Sequence, residues 1–227
     1  MKIKAIKHIL QDNDLIAESN RERFAEAGVV CFNLISSPGS GKTTLLEKTI
    51  AELNKDGQRS AVIVGDLETA RDAERVDKMA AESIQINTGL SCHLYANQIA
   101  AALDDMTLED YDKIFIENVG NMVCPGEFDL GENLKVVLYS IPEGDDKVAK
   151  YPTIFRVADV VLITKCDLAG VCDFDMDRVM TDIRRLNSTV PVFTISFKTG
   201  QGVDQWYKWL DAQNQNVIGK AAGFFNG

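Results

Sequence analysis

The run Ser36-Ser37-Pro38-Gly39-Ser40-Gly41-Lys42-Thr43 constrains this chain most, because it works only with a strand before it and a helix after it. Gly39 and Gly41 let consecutive backbone N–H groups curl toward one point and form a nest for an anion. Lys42 is placed to reach the β- and γ-phosphates of a nucleotide, and the Thr43 hydroxyl is a ligand for Mg²⁺. The apolar run Val29-Val30-Cys31-Phe32-Asn33-Leu34-Ile35 feeds the loop, and the stretch from Thr43 to Leu53 reads as a helix. Ser36 stands where a glycine usually opens G-x-x-x-x-G-K-[ST]. A glycine-rich turn that binds nothing does not account for strand, loop and helix in that order.

The same alternation continues along the chain. Strand-like runs fall at 29–36, 60–66, 84–87, 113–119, 135–141, 159–165 and 190–196. Amphipathic stretches at 43–55, 70–82, 92–104, 148–158, 175–187 and 203–213 lie between most of them. The pattern predicts an α/β fold of the three-layer P-loop NTPase kind, a mainly parallel sheet of about seven strands with helices on both faces. Binding sites then gather at the carboxyl ends of the strands. Residues 1–28 form an N-terminal helical segment ending at Gly28, with Ile6, Ile9, Leu10, Leu15, Ile16 and Phe24 on its apolar side. That helix either packs on the domain or serves a partner; its sequence fits both. Residues 29–218 make the nucleotide-binding domain, and 219–227 a C-terminal tail in which Phe224 and Phe225 can dock.

Charge narrows the class. Lys and Arg total 24 against 34 Asp and Glu, a net charge of −10, which disfavours nucleic acid or an anionic membrane as partner. No apolar stretch is long enough to span a bilayer, and the start Met1-Lys2-Ile3-Lys4 lacks the pattern of a cleaved leader. The five cysteines (31, 92, 124, 166, 172) lack the spacing of a disulfide framework, so reduced thiols and a cytoplasmic location are expected.

An acid at the end of a neighbouring strand should complete the phosphate site. Lys113-Ile114-Phe115-Ile116-Glu117 supplies it, and Gly120 follows, where a backbone N–H can sense the γ-phosphate. Asp66, ending Ala61-Val62-Ile63-Val64-Gly65, is a second magnesium candidate beside Thr43 and Glu117. Asp72 either positions the attacking water or is a cap or solvated charge. The predicted nucleotide contacts are therefore Gly39, Ser40, Gly41, Lys42, Thr43, Thr44 and Gly120, with Lys42, Asp66, Asp72 and Glu117 as the catalytic set.

Base choice is read from Thr164-Lys165-Cys166-Asp167. A carboxylate here accepts from guanine N1–H and N2–H₂ together, whereas adenine leaves it buried and unpaired, so discrimination on the order of 10⁴-fold follows. The Lys165 stem covers the base face, and Ser196-Phe197-Lys198 falls where a loop touching guanine O6 belongs. Guanine readers usually carry Asn where Thr164 stands, a residue that mainly braces the phosphate loop and base pocket. GTP and GDP are thus the expected ligands.

Cys92-His93 and Cys124 form a second cluster of thiolate and imidazole, donors for zinc, nickel or copper rather than magnesium. Cys92 and His93 reach one ion only at a loop or helix start, where Gly89-Leu90-Ser91 places them. Three ligands leave a tetrahedral site open, or leave it to be closed by a second copy. Cys124 lies four residues beyond Gly120, in a segment that should move with the γ-phosphate. On spacing alone the trio fits either a metal site or ordinary buried thiols.

With these residues in place the chain resembles the HypB family of hydrogenase-maturation GTPases, relatives of the urease GTPase UreG. The likeness rests on Ser36 to Thr44, Gly65-Asp66, Asn87-Thr88-Gly89 with Cys92-His93, Glu117 to Pro125 with Phe128-Asp129-Leu130-Gly131, Glu143 to Lys147, and Lys150-Tyr151-Pro152. It runs from Asn20-Arg21 to Asp204-Gln205-Trp206, nearly the whole chain. The resemblance implies slow GTP hydrolysis and a homodimer formed with GTP. It also implies nickel or zinc at Cys92, His93 and Cys124, and nickel delivery to [NiFe]-hydrogenase. A HypA-type nickel chaperone and the hydrogenase large-subunit precursor are the implied partners. Lys150 matches a lysine that acts across the dimer at the nucleotide.

Two features depart from some members of that family. No cysteine precedes Cys31, and His8 is the only histidine besides His93, so neither a Cys-rich N-terminal nickel motif nor a His-rich store is expected. Rival readings are a chaperone GTPase for another metal cofactor and a nucleotide-gated scaffold that acts by recruiting partners. A deviant-loop ATPase is disfavoured, since it carries an extra lysine where Ser37 stands.

Overall fold

The structure, a computed structural model, describes residues 2–66, 79–89 and 91–224. Seven parallel strands form one sheet: β1 (Val30–Ser36), β2 (Ser60–Asp66), β3 (Glu82–Asn87), β4 (Lys113–Glu117), β5 (Leu134–Ser140), β6 (Val160–Thr164) and β7 (Val192–Ile195). Their spatial order is β3-β2-β4-β1-β5-β6-β7. Among the described residues the α-helices are α1 (Lys2–Ala27), α2 (Lys42–Lys55), α3 (Ala96–Asp104), α4 (Lys147–Lys150), α5 (Pro152–Val157), α6 (Met176–Leu186) and α7 (Val203–Phe224).

The central strands are apolar on both faces because helices cover both, as all-parallel sheets require. Phe32, Leu34, Val62, Val64 and Phe115 pack on one face with Leu46 and Ile50 of α2 and Trp206 and Leu210 of α7. Cys31, Ile63, Ile114 and Ile116 point the other way, toward Phe24 of α1 and Ile99 and Leu103 of α3. Further along the second face, Val137, Val161 and Ile163 meet Ile154 and Phe155 of α5 and Ile183 of α6. Because every pairing is parallel, all seven carboxyl tips lie along the same side of the sheet.

Several element boundaries differ from the sequence reading, each for a local reason. The expected helix over 148–158 is two short ones, α4 and α5, broken at Tyr151, because Pro152 disfavours helical backbone in the residue before it. The stretch 92–104 becomes helical only at Ala96, leaving Cys92 and His93 in a loop. Of the helix expected over 70–82, residues 70–78 lie outside the described residues, and Glu82 already opens β3. Helix α7 continues to Phe224, past residue 213 where the amphipathic pattern fades.

The N-terminal helix packs on the domain by a face that its apolar residues mark only in part: Phe24 is buried, but polar residues share the stripe. Leu15 is 73% exposed, while the buried stripe is Asn13, Ala17, Asn20 and Phe24. Asn20 Nδ2 donates to the carbonyls of Ala96 (2.9 Å) and Leu130 (3.0 Å). Asn13 Nδ2 donates to the Asp129 carbonyl at 2.8 Å, and its Oδ1 accepts from Ala96 N–H at 2.9 Å. Gly131 has φ +89°, and a Cβ there would stand 2.4 Å from the Ala17 carbonyl oxygen, so only glycine permits this approach.

A second polar arrangement sits in the middle of the sheet. Asn33 of β1 is fully buried; its Nδ2 donates to Glu132 Oε1 at 2.9 Å and its Oδ1 accepts from Asn118 Nδ2 at 3.2 Å. Asn118 Oδ1 in turn accepts from the N–H groups of Leu94 (3.3 Å) and Val119 (2.9 Å). Buried amides survive in an apolar core only when bonded in this way.

Candidate functional site

A cleft of about 480 Å³ opens at the carboxyl edge of the sheet, lined by the phosphate loop, Gly65, Glu117 to Gly120 and Lys165. Ser36 ends central strand β1, and Gly41 (φ 100°) turns the chain into α2. Gly39 is also left-handed, at φ 77°. The first N–H groups of α2 have no partner inside the helix and open toward the cleft with the positive end of the dipole, an arrangement that favours phosphate. Lys42, only 8% exposed, reaches back so that its Nζ donates to Ser36 Oγ at 2.9 Å. Thr43 Oγ1 donates to Glu117 Oε1 at 2.8 Å, bringing together the hydroxyl and carboxylate expected at magnesium. Both are buried oxygen donors, the type a hard divalent cation takes, so the pair fits that ion. Asp66 ends β2 next to Asn87 of β3 in register; its side chain and Asp72 lie outside the described residues.

A second cleft of about 290 Å³ adjoins the first, sharing Gly41, Thr44 and Lys165 and lined further by Thr164, Asp167, Ser196, Phe197 and Lys198. Ser196 Oγ donates to Asp167 Oδ1 at 2.6 Å, and Lys198 Nζ stands 4.0 Å from the other oxygen. The carboxylate is thereby aimed into the pocket. Thr164 Oγ1 donates to the Ser40 carbonyl at 2.7 Å, so threonine braces the phosphate loop as the usual asparagine does. Lys165 adopts left-handed backbone (φ 57°), and its Nζ donates to the Gly39 carbonyl at 2.7 Å. One contact has no counterpart in the sequence reading: Ser40 Oγ donates to Glu143 Oε1 at 2.7 Å, the same oxygen that accepts from Ser140 N–H.

Lys150 is absent from both clefts. It is exposed and ion-paired with Asp146, whose carboxyl is held at about 2 by hydrogen bonds from Lys147 and then Lys150.

Cys92, His93 and Cys124 meet in one cluster, their donor atoms all within 4.8 Å of one another. The two sulfurs are 3.0 Å apart, and Cys92 Sγ lies 3.6 Å from His93 Nδ1. Cys92 is exposed, Cys124 half-buried and His93 buried. The imidazole stacks on Phe128 at 3.9 Å between centroids and tilts against Tyr95 at 4.4 Å. Burial lowers its pKa against the opposing charge of Glu127, favouring the neutral ring that ligates metal. Thiolates with imidazole suit nickel or zinc.

The cluster is built on the walls of the nucleotide cleft. Leu94, next to His93, covers Gly65 so closely that a Cβ there would lie 2.8 Å from it. At the other wall, a Cβ on Gly120 would come within 3.0 Å of Pro38 Cγ and 3.2 Å of Pro38 N. The segment leading to Cys124 therefore rests directly on the phosphate loop.

Fold and clefts together make this a P-loop nucleotide-binding protein. Residues 30–194 match the family model described as "CobW/HypB/UreG, nucleotide-binding domain". The chain belongs to the HypB branch of that family. It is 46% identical over 205 residues to a hydrogenase maturation factor HypB of Escherichia coli (strain K12), covering 90% of this chain and 70% of that protein. A solved HypB of Helicobacter pylori in complex with nickel superposes with TM-score 0.86 at 40% identity, covering 91% of this chain and 97% of that one. The solved HypB of Archaeoglobus fulgidus gives 0.85 at 39%, over 90% of this chain and all of the other.

Proposed function

We propose that this protein is a slow GTPase that couples GTP-dependent dimerisation to the capture and release of nickel for [NiFe]-hydrogenase. One observation carries the reading: the Cys92–His93–Cys124 cluster is joined to the nucleotide cleft at two of its lining glycines, Leu94 beside His93 packing on Gly65 and Gly120, four residues before Cys124, packing on Pro38. Its likeness to a solved HypB in complex with nickel supports nickel as the cargo.

Lys42 and the amides of residues 39–44 hold the phosphates, and Asp167 with Ser196 and Lys198 selects guanine. Thr43 and Glu117, with Asp66, would hold Mg²⁺, which when bound neutralises charge on the β- and γ-oxygens. A γ-phosphate arriving beside Pro38 and Gly39 presses on Gly120, which is already in contact with Pro38, and the displacement carries to Cys124. Loss of the phosphate reverses it. The half-exposed, three-ligand site is completed by a second copy in the GTP-bound dimer, where Lys150 reaches the partner's nucleotide. Delivery then involves a HypA-type chaperone and the hydrogenase large-subunit precursor in the cytoplasm. Among the described residues no helix is long and apolar enough to cross a membrane.

The test is nickel stoichiometry and affinity by equilibrium dialysis with GDP and with a non-hydrolysable GTP analogue, on wild type, Cys92→Ala and Cys124→Ala. The expected result is an affinity that changes with nucleotide and is lost in both variants. Full nickel binding in both variants would remove the metal assignment; equal affinity in both nucleotide states would leave a GTPase with a static metal site.

A further inference from the structure

Among the described residues, helix α1 contributes no ligand and lines neither cleft. Its buried stripe is nevertheless polar where leucines would suffice for docking. The carbonyls and N–H groups that Asn13 and Asn20 engage belong to two segments only. One is Ala96, at the start of α3 and next to Tyr95; the other is Asp129-Leu130, next to Phe128. Each asparagine bonds both segments at once: Asn13 joins Ala96 to Asp129, and Asn20 joins Ala96 to Leu130. Tyr95 and Phe128 are the two rings that hold His93.

We infer that Asn13 and Asn20 are positioning residues of the metal site: by tying residue 96 to residues 129–130 they fix the spacing of the aromatic slot that orients His93. Three further observations carry the same point. Arg21 donates to Asp129 Oδ2 at 2.6 Å, and the other oxygen of Asp129 accepts from Gly131 N–H at 2.9 Å, so the turn after Phe128 is fixed from α1. Gly131 offers the helix a seat with no room for a Cβ. His93 Nε2 is buried with no hydrogen-bond partner among the described residues, so aromatic packing rather than a hydrogen bond at that nitrogen must orient the ring. Outer contacts that orient a histidine ligand typically affect metal affinity by about 10–100-fold. Without the asparagines, Ala96 N–H and the carbonyls of Ala96, Asp129 and Leu130 lose these buried partners, and the two segments part. His93 then leaves the position in which it meets Cys92 and Cys124.

This inference rests on the nickel reading for its consequence but not for its geometry, and the experiment separates the two. The chain has only two histidines, so ring resonances of His93 and His8 are distinguishable in the metal-free, full-length protein. Stacking on Phe128 should shift the His93 ring protons upfield. In Asn13→Ala, Asn20→Ala and, as a different route to lifting the helix, Gly131→Ala, those resonances should move toward free-imidazole values. Nickel affinity should fall by about 10–100-fold while binding of a GTP analogue stays unchanged. Leu15→Ala, exposed on the same helix, should alter neither. Unmoved His93 resonances in folded variants overturn the inference, and so does a moved ring with unchanged nickel affinity. If the wild-type chain binds no nickel, the metal reading falls, and the His93 resonances alone decide whether α1 positions the ring.

Discussion

Replacing Asp167 by Asn tests the base pocket at one atom. The carboxylate is held at one oxygen by Ser196 Oγ at 2.6 Å, with the exposed Lys198 4.0 Å from the other, so its orientation is set before the base arrives. Guanine N1–H and N2–H₂ then form two hydrogen bonds to a charged acceptor, each contributing about 1.5–3 kcal/mol. Asparagine is isosteric and keeps the Ser196 contact, but one of its two polar atoms is a donor facing the guanine amino group. Losing one to two such bonds gives about 1.5–6 kcal/mol, roughly 10- to 10⁴-fold weaker GTP binding at 1.4 kcal/mol per tenfold. Xanthine carries N1–H and a C2 carbonyl, the pattern the amide matches, so xanthosine triphosphate should gain affinity in the variant. Competition against a fluorescent GDP analogue, run in parallel with the xanthosine analogue, reads both changes. GTP affinity within about threefold of wild type, with no gain for xanthosine triphosphate, would take Asp167 out of the base site.

Other outcomes follow from separate parts of the molecule. Lys42→Ala should abolish phosphate release from GTP; a surviving rate would locate hydrolysis elsewhere. Trp206→Phe removes the buried Nε1 donor that reaches Thr49 Oγ1 at 2.9 Å, and urea denaturation should show a loss of about 1–3 kcal/mol. A loss below about 0.5 kcal/mol would mean that this bond contributes little. For Asp129, burial pushes the pKa up, but the Gly131 N–H and Arg21 outweigh it and hold the folded value below the ordinary one. Its contribution is therefore complete above an unfolded carboxylate value of about 3.9 and is lost as pH falls through the folded value. The stability gap between wild type and Arg21→Ala should be widest above about pH 4 and close in stronger acid; a gap independent of pH would contradict the pairing.

The sheet was legible in the sequence because buried parallel strands are short apolar runs separated by helical patterns, and β1, β2, β4, β5 and β6 each follow that form. That Gly39 to Thr44, Glu117, Gly120, Lys165, Asp167, Ser196 and Lys198 would line clefts was equally legible, since each stands at or just beyond a strand tip and the tips share one side of the sheet. Contacts between distant polar groups were not. Nothing in the spacing of Ser40 and Glu143 announces a hydrogen bond across 103 positions. The docking face of α1 was hidden for a related reason: hydrophobic periodicity cannot find a stripe that buries asparagines, so it groups Leu15 with the apolar side and gives no sign of Asn13 and Asn20. The break at Tyr151 was written in the sequence, and Pro152 was the signal to heed.

Asn33 bears on assembly as much as on structure. Strands apolar on both faces carry little information about alignment, because a shifted strand still buries hydrophobic side chains. A lone amide in the middle strand changes that. It meets Glu132, just ahead of β5, and Asn118, just behind β4, the two strands that flank β1. Any slippage of either neighbour strands a desolvated amide or carboxylate at about 1–3 kcal/mol or more. Asn33 therefore works as an indexing pin: the phosphate loop at the end of β1 and Glu117 at the end of β4 come level only in the alignment that lets it close.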